Sequence, residues 1–246
     1  DRDALALFFR YNYIPVPYTI YKGFKKLEPG TILTLPNTDK EMQTNKYWDA
    51  WEIAQQGTQN CFQGTYEEAT VKLDSLLRDA VDLQMVADVP LGAFLSGGID
   101  SSLVVALMRA NRSSPVRTFS IGFYEEGFDE AQHAKAVASH LGTDHTELYV
   151  TSEQALGVIP KLPMFYDEPF SDSSQIPTLL VSELTRNHVT VSLSGDGGDE
   201  LFSGYNRYLW SDRIWNLIQS LPDFALHFGA IGLRMLSEKQ WNGLHR

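Results

Sequence analysis

A short apolar strand, GAFL at 92–95, runs without a linker into the turn SGGIDSS at 96–102 and on into the apolar run LVVALM. This juxtaposition constrains the fold more than any other feature of the chain. A strand that passes through a glycine-dense turn straight into a helix aims the helix N-terminus, and the free N–H groups of its first turn, at one point beyond the sheet edge. Gly97 and Gly98 let backbone approach an anion closely and take positive φ where the turn needs it. Ser96, Ser101 and Ser102 add hydroxyl groups, and the helix dipole contributes about 0.3–1 kcal/mol toward a bound anion. Asp100 would repel a phosphate unless a cation lay between them, so its position inside the loop points to a divalent metal bridging carboxylate and polyphosphate. The loop is not a Walker loop, because it lacks Gly-Lys-Ser/Thr.

The surrounding pattern repeats the same unit. Thr65 and Glu68 form a capping box ahead of a stripe of Leu73, Leu76, Leu77, Ala80 and Val81. Strands are expected at 91–95, 118–123, 147–150 and 189–193, and helices at 99–110, 130–141 and about 177–186. Such alternation with short connections predicts an α/β fold, a doubly wound parallel sheet covered on both faces. The last strand, VTVSL, ends in a second glycine-rich turn, SGDGGDE at 194–200. Ligands of open parallel sheets sit beyond the carboxyl ends of the strands, so both turns are expected to face one crevice. Residues 1–50 read as a short helix near 5–11 followed by hairpin and linker material, 49–64 as a solvated connection, and the tail after Arg207 as a helical extension with a second helix opened by Pro222.

Composition narrows the function classes. A net charge of -11 opposes non-specific binding to nucleic acid or to a membrane surface, both of which reward basic faces. The lone cysteine, Cys61, excludes an internal disulfide and a cysteine-based metal cluster, and fits a reducing compartment. No apolar run reaches the roughly 18 residues of a membrane span, and the first residues lack the layout of a signal peptide. The six histidines show no metal-binding spacing and are given no catalytic role.

With these residues in view, SGGIDSS resembles the pyrophosphate-binding motif of the N-type ATP pyrophosphatases, and SGDGGDELFSGYNRY resembles the second signature of the synthetase half of glutamine-dependent asparagine synthetases. The resemblance implies an adenine nucleotide α-hydrolase-like fold using ATP and Mg²⁺. It implies that Ser96, Gly97, Gly98, Asp100, Ser101 and Ser102 bind the polyphosphate, that Leu95 and Ile121 flank adenine, and that Ser194 and Gly195 contact the nucleotide. Asp100 and Asp199 would ligate Mg²⁺, and Asp196, where the family often carries Glu, would act near the reacting carboxyl. The expected reaction joins ATP and aspartate to β-aspartyl-AMP, which ammonia derived from glutamine converts to asparagine. Residues 1–50 are expected to be the end of a glutaminase domain and its linker, and 65–246 a C-terminally incomplete synthetase domain, so that the piece alone should bind nucleotide weakly. A cytoplasmic location is expected, with no nucleic-acid or membrane partner, and a homodimer is left open. The rival readings are a related amidotransferase acting on another carboxylate and a non-catalytic nucleotide-binding module.

Overall fold

In a computed structural model, residues 1–36, 42–112, 114–124, 129–222, 225–227 and 230–231 are described. The chain forms two compact units, Asp1–Gly195 and Asp196–Arg246. The first opens with helix α1 (Arg2–Tyr11), capped by the Asp1 carboxylate and closed by Asn12 in the left-handed region. A two-stranded antiparallel hairpin, β1 (Thr31–Thr34) and β2 (Gln43–Lys46), follows. Next comes α2 (Ala50–Gln59) in the stretch expected to be a connection: Asp49 accepts hydrogen bonds from the N–H groups of Trp51 and Glu52 and so starts a helix. The capping box of Thr65 and Glu68 forms as expected and opens α3 (Tyr66–Gln84).

The sheet is built from β3 (Leu91–Phe94), β4 (Arg117–Phe123), β5 (Asp144–Val150) and β6 (Val191–Leu193), in the order β5-β4-β3-β6 and parallel throughout. Helices α4 (Ile99–Ala110) and α5 (Ala131–Leu141) connect the first three strands. Between β5 and β6 run α6 (Ser152–Val158), a 3-10 turn (Ile159–Lys161), α7 (Leu162–Phe165) and α8 (Gln175–Arg186). The parallel doubly wound sheet is therefore present.

Alternation along the strands divides the core. Leu91, Ala93 and Leu95 pack with Val81 of α3, Val105, Leu107 and Met108 of α4, and Ala134 and Ala138 of α5. Ile121, Phe123, Leu148 and Val150 join a second cluster with Val158 of α6 and Ile176, Leu179 and Leu180 of α8. Both layers bury apolar surface at roughly 25 cal/mol per Å², which holds the strand ends that carry the loops. The chain leaves β3 toward β4 and β5 on one side, and later returns through β6 on the other. That reversal puts a topological switch point between β3 and β6, the place where an open α/β sheet leaves a crevice.

The second unit holds α9 (Gly198–Phe202) and α10 (Asn206–Ser220), the latter matching the helical tail expected after Arg207. Most of the helix expected beyond Pro222 lies outside the described residues. No described helix is long and apolar enough to cross a membrane.

Candidate functional site

Leu95, the residue after β3, is fully buried and its N–H donates to the carbonyl of Phe119 in β4 at 2.9 Å, so the turn that follows is tied to the neighbouring strand. Ser101 braces the loop from inside. Its hydroxyl accepts from the Ser96 N–H at 3.2 Å, lies 2.9 Å from the Ser96 hydroxyl, and reaches the Gly98 carbonyl at 3.3 Å. Ser96 in turn accepts from the Gly98 N–H at 3.2 Å. These bonds fix the loop before any ligand arrives, a condition for electrostatic binding without reorganisation.

Gly97 has φ +80°, and a Cβ there would lie 2.6 Å from the Ala134 nitrogen and 2.7 Å from the Cβ of His133. The loop thus rests directly on the first turn of α5, and glycine is required by conformation and by space together. Gly98 caps α4 without any side-chain hydrogen bond, leaving the first-turn N–H groups available. The hydroxyl of Ser102 is buried with no partner among the described residues. An orphaned buried donor is costly in isolation, and it fits a loop whose missing partner is an anion.

Gly195, just beyond β6, comes against the same loop. A Cβ on it would sit 2.6 Å from the Ser101 nitrogen and 3.1 Å from the Asp100 Cβ. The first residues of the second turn, Ser194 and Gly195, therefore stand beside the 96–102 loop at one sheet edge, with Ser194 partly buried. Ile121 is partly buried near the end of β4, packed against the cluster of Val150, Val158 and Leu180. Asp100 is partly buried in the first turn of α4.

Asp196 and Asp199 belong to the second unit. Asp196 is exposed; Asp199 lies in the first turn of α9, and its carboxylate occupies the space a Cβ on Gly204 would need. The Gly204 N–H closes that turn onto the Asp199 carbonyl at 2.9 Å. The Tyr205 hydroxyl donates to Glu200 at 2.7 Å, which holds the Glu200 carboxyl below its ordinary range and pushes the tyrosine up to about 12. Among the described residues no three histidine, cysteine or carboxylate side chains gather as a metal cage. Hard carboxylate oxygens are nonetheless the donors magnesium takes, one or two per site, with phosphates and water completing the shell.

What the sequence pattern did not reveal is the part played by α5. Its first turn forms the floor under Gly97 although it lies more than thirty positions away in the chain, and no local signal marks that contact.

A family profile described as Asparagine synthase matches residues 72–246. A Methanocaldococcus jannaschii relative assigned as glutamine-hydrolysing asparagine synthetase 2 is 39% identical over 99% of this chain and 45% of its own length. The Bacillus subtilis glutamine-hydrolysing asparagine synthetase 1 is 36% identical over 94% of this chain and 36% of its own length. Amidase chyE from Penicillium rubens is 31% identical over 83% of this chain and 33% of its own. The chain thus spans less than half the length of these relatives. Among solved structures, an ammonia-dependent NAD synthetase from Campylobacter jejuni aligns at a TM-score of 0.36 and 17% identity, over 58% of this chain and 62% of that one. With Gly195 seated against the 96–102 loop at one edge of a parallel sheet, and a profile match running from α3 to the last residue, this chain belongs to the asparagine synthase family.

Proposed function

We propose that the chain carries the synthetase chemistry of a glutamine-dependent asparagine synthetase. The observation that supports this most is the contact of Gly195 with the backbone of Ser101, because it brings the start of the second glycine-rich turn against the first. In the proposed first step a carboxylate oxygen of aspartate attacks the α-phosphorus of ATP, the bond to the β-phosphate breaks, and pyrophosphate leaves into the 96–102 loop. In the second, ammonia attacks the acyl carbon, AMP departs with the bridging oxygen, and one proton is lost to a base.

In this reading adenine sits beyond the ends of β3 and β4, at the strand ends that carry Leu95 and Ile121. Gly97 and Gly98 admit the phosphates to the backbone N–H groups of α4, and Ser102 supplies the hydroxyl that lacks a partner. Ser194 and Gly195 hold the α-phosphate side, and Asp196 orients the attacking amine and takes its proton. Asp100 and Asp199 would hold Mg²⁺, which when bound neutralises charge on the departing pyrophosphate. Residues 1–50 are the segment joining a glutaminase domain to a synthetase domain over 65–246. The acidic balance and single exposed cysteine support a cytoplasmic protein.

A second reading, amidation of another carboxylate, is favoured by the relative named as an amidase. Aspartate-dependent exchange of labelled pyrophosphate into ATP, assayed in the complete gene product, separates the two. Exchange with aspartate supports the first reading. Exchange only with other acids moves the assignment to the second, and no exchange with any acid, together with no rise in melting temperature on adding Mg-ATP, would overturn both.

A further inference from the structure

We infer that His133 is a further pyrophosphate-binding residue, forming the wall of the cradle beside Gly97; this rests on the nucleotide reading above. Gly97 presses on the first turn of α5 so closely that an added Cβ would stand 2.7 Å from the His133 Cβ. Further along the loop, where α4 begins, Gly195 lies against Ser101 and Asp100. The 96–102 turn is therefore held between two supports, and of the residues whose atoms make these contacts, His133, Ala134 and Gly195, only His133 has a side chain able to donate a hydrogen bond. The His133 side chain is exposed at the surface, and no hydrogen bond or ion pair joins it to another described residue.

Its neighbours explain why the histidine, and not the helix end itself, would meet the anion. Asp129 already answers the start of α5: its carboxylate accepts from the Ala131 N–H at 3.2 Å, from Gln132 Nε2 at 2.9 Å and from the Tyr149 hydroxyl at 3.4 Å. The carboxylate of Asp129 and the exposed Glu130 would repel a phosphate approaching along the helix axis, so any attraction from α5 has to come from its flank. Ala134, the other residue beneath Gly97, has no polar side-chain atom. An imidazole always has at least one N–H to donate, whichever tautomer it adopts, and needs no net charge to bind an oxygen of the leaving group. A donor that meets the β- and γ-phosphates and not the α-phosphate would stabilise departure of pyrophosphate while leaving AMP untouched.

The test is calorimetric titration of inorganic pyrophosphate with magnesium, and separately of AMP, into the complete gene product and into H133A, H133N and H133Q. H133A is expected to weaken pyrophosphate by about tenfold to a hundredfold, the scale of one hydrogen bond to a charged group, with AMP affinity and melting temperature unchanged. H133N, which keeps a short N–H donor, should recover part of the loss. Unchanged pyrophosphate affinity in H133A while the wild-type protein binds both ligands would overturn the inference and leave the nucleotide site standing. Equal weakening of AMP and pyrophosphate in H133A and H133Q would also overturn it, since that pattern reports a distorted loop. Failure of the wild-type protein to bind either ligand would bring down the nucleotide reading and the inference with it.

Discussion

Gly195 stands so close to Ser101 that a methyl group on its α-carbon would come within 2.6 Å of the Ser101 nitrogen and 3.0 Å of the Asp100 carbonyl carbon. Both of these are backbone atoms at the start of α4, which cannot swing aside as the end of a side chain can. G195A should therefore separate the two turns. Overpacking of this kind costs roughly 1–3 kcal/mol of stability, and the displacement of the loop should lower nucleotide affinity by more than the same loss elsewhere in the protein. Chemical denaturation together with AMP titration checks this. Wild-type affinity in a folded G195A protein would mean that the turns do not share a ligand.

Two glycines with positive φ separate conformation from space. Gly142 ends α5 at φ +65° with open space around its α-carbon, whereas Gly97 has φ +80° and the α5 backbone against it. G142A should cost about 1–2 kcal/mol, the penalty for placing a Cβ in the left-handed region. G97A should add roughly 1–3 kcal/mol for the clash and lose pyrophosphate binding, while G142A keeps it. Equal melting temperatures for the two variants would contradict the close seating of the loop on α5.

These contacts mark where sequence reading stops. The alternation of strands and helices was legible because β3, α4, α5 and β6 each repeat apolar residues at their own period, and α4 begins and ends where the periodicity places it. The position of both turns at one edge followed from parallel topology alone. Helix α2 was hidden because its apolar residues, Trp51 and Ile53, are followed by a run of Gln, Gly and Thr that reads as a solvated connection; the Asp49 cap is the signal that marks its start. Helix α6 carries the same capping-box signature as α3, with Thr151 and Gln154 in place of Thr65 and Glu68, and was readable in principle. The seating of Gly97 on His133 and Ala134 could not be read, since it depends on how α5 crosses the sheet and not on any residue beside it in the chain.

The N-terminal segment is tied to the loop ahead of α8 by a compact polar cluster. Glu168 pairs with Lys26 and accepts from the Ile20 N–H at 2.8 Å; Lys26 also donates to the Ile14 carbonyl at 2.6 Å, and the Ser171 N–H donates to the Asn12 carbonyl at 2.6 Å. Removing one partner leaves the other with unmet bonds. E168A should cost about 1–3 kcal/mol, less than the loss from a fully buried pair, because the Lys26 and Glu168 side chains are 31% and 16% exposed. E168Q keeps an acceptor for Ile20 and should lose less. Urea denaturation of the two variants checks the order, and equal losses would show that the ion pair alone matters.

His145 gives the protein a pH-dependent contribution to stability in a window of its own. Its ring is held between the Thr118 hydroxyl at 2.8 Å and the Ser120 hydroxyl at 3.3 Å, with Glu147 at 3.7 Å and Lys135 paired to that glutamate at 3.3 Å. Burial, opposed by the Glu147 charge and assisted by Lys135, leaves the imidazole below its ordinary value near 6.5. The folded protein then binds the proton less readily than the unfolded chain, so stability rises with pH wherever the unfolded chain is the more protonated. The contribution is whole above the unfolded value and is lost as pH falls from there to the lowered folded value, by at most about 1.4 kcal/mol per pH unit for one proton. The depressed carboxyls of Asp49, Asp74 and Glu200 act in a separate window: their contributions fade only as pH drops through the acidic carboxylate range. Denaturation at pH 7.5, 6.5 and 5.5 should show a decline in the wild-type protein, and H145Q, which cannot titrate, should flatten it. An equal slope in the two proteins would assign the decline to other groups.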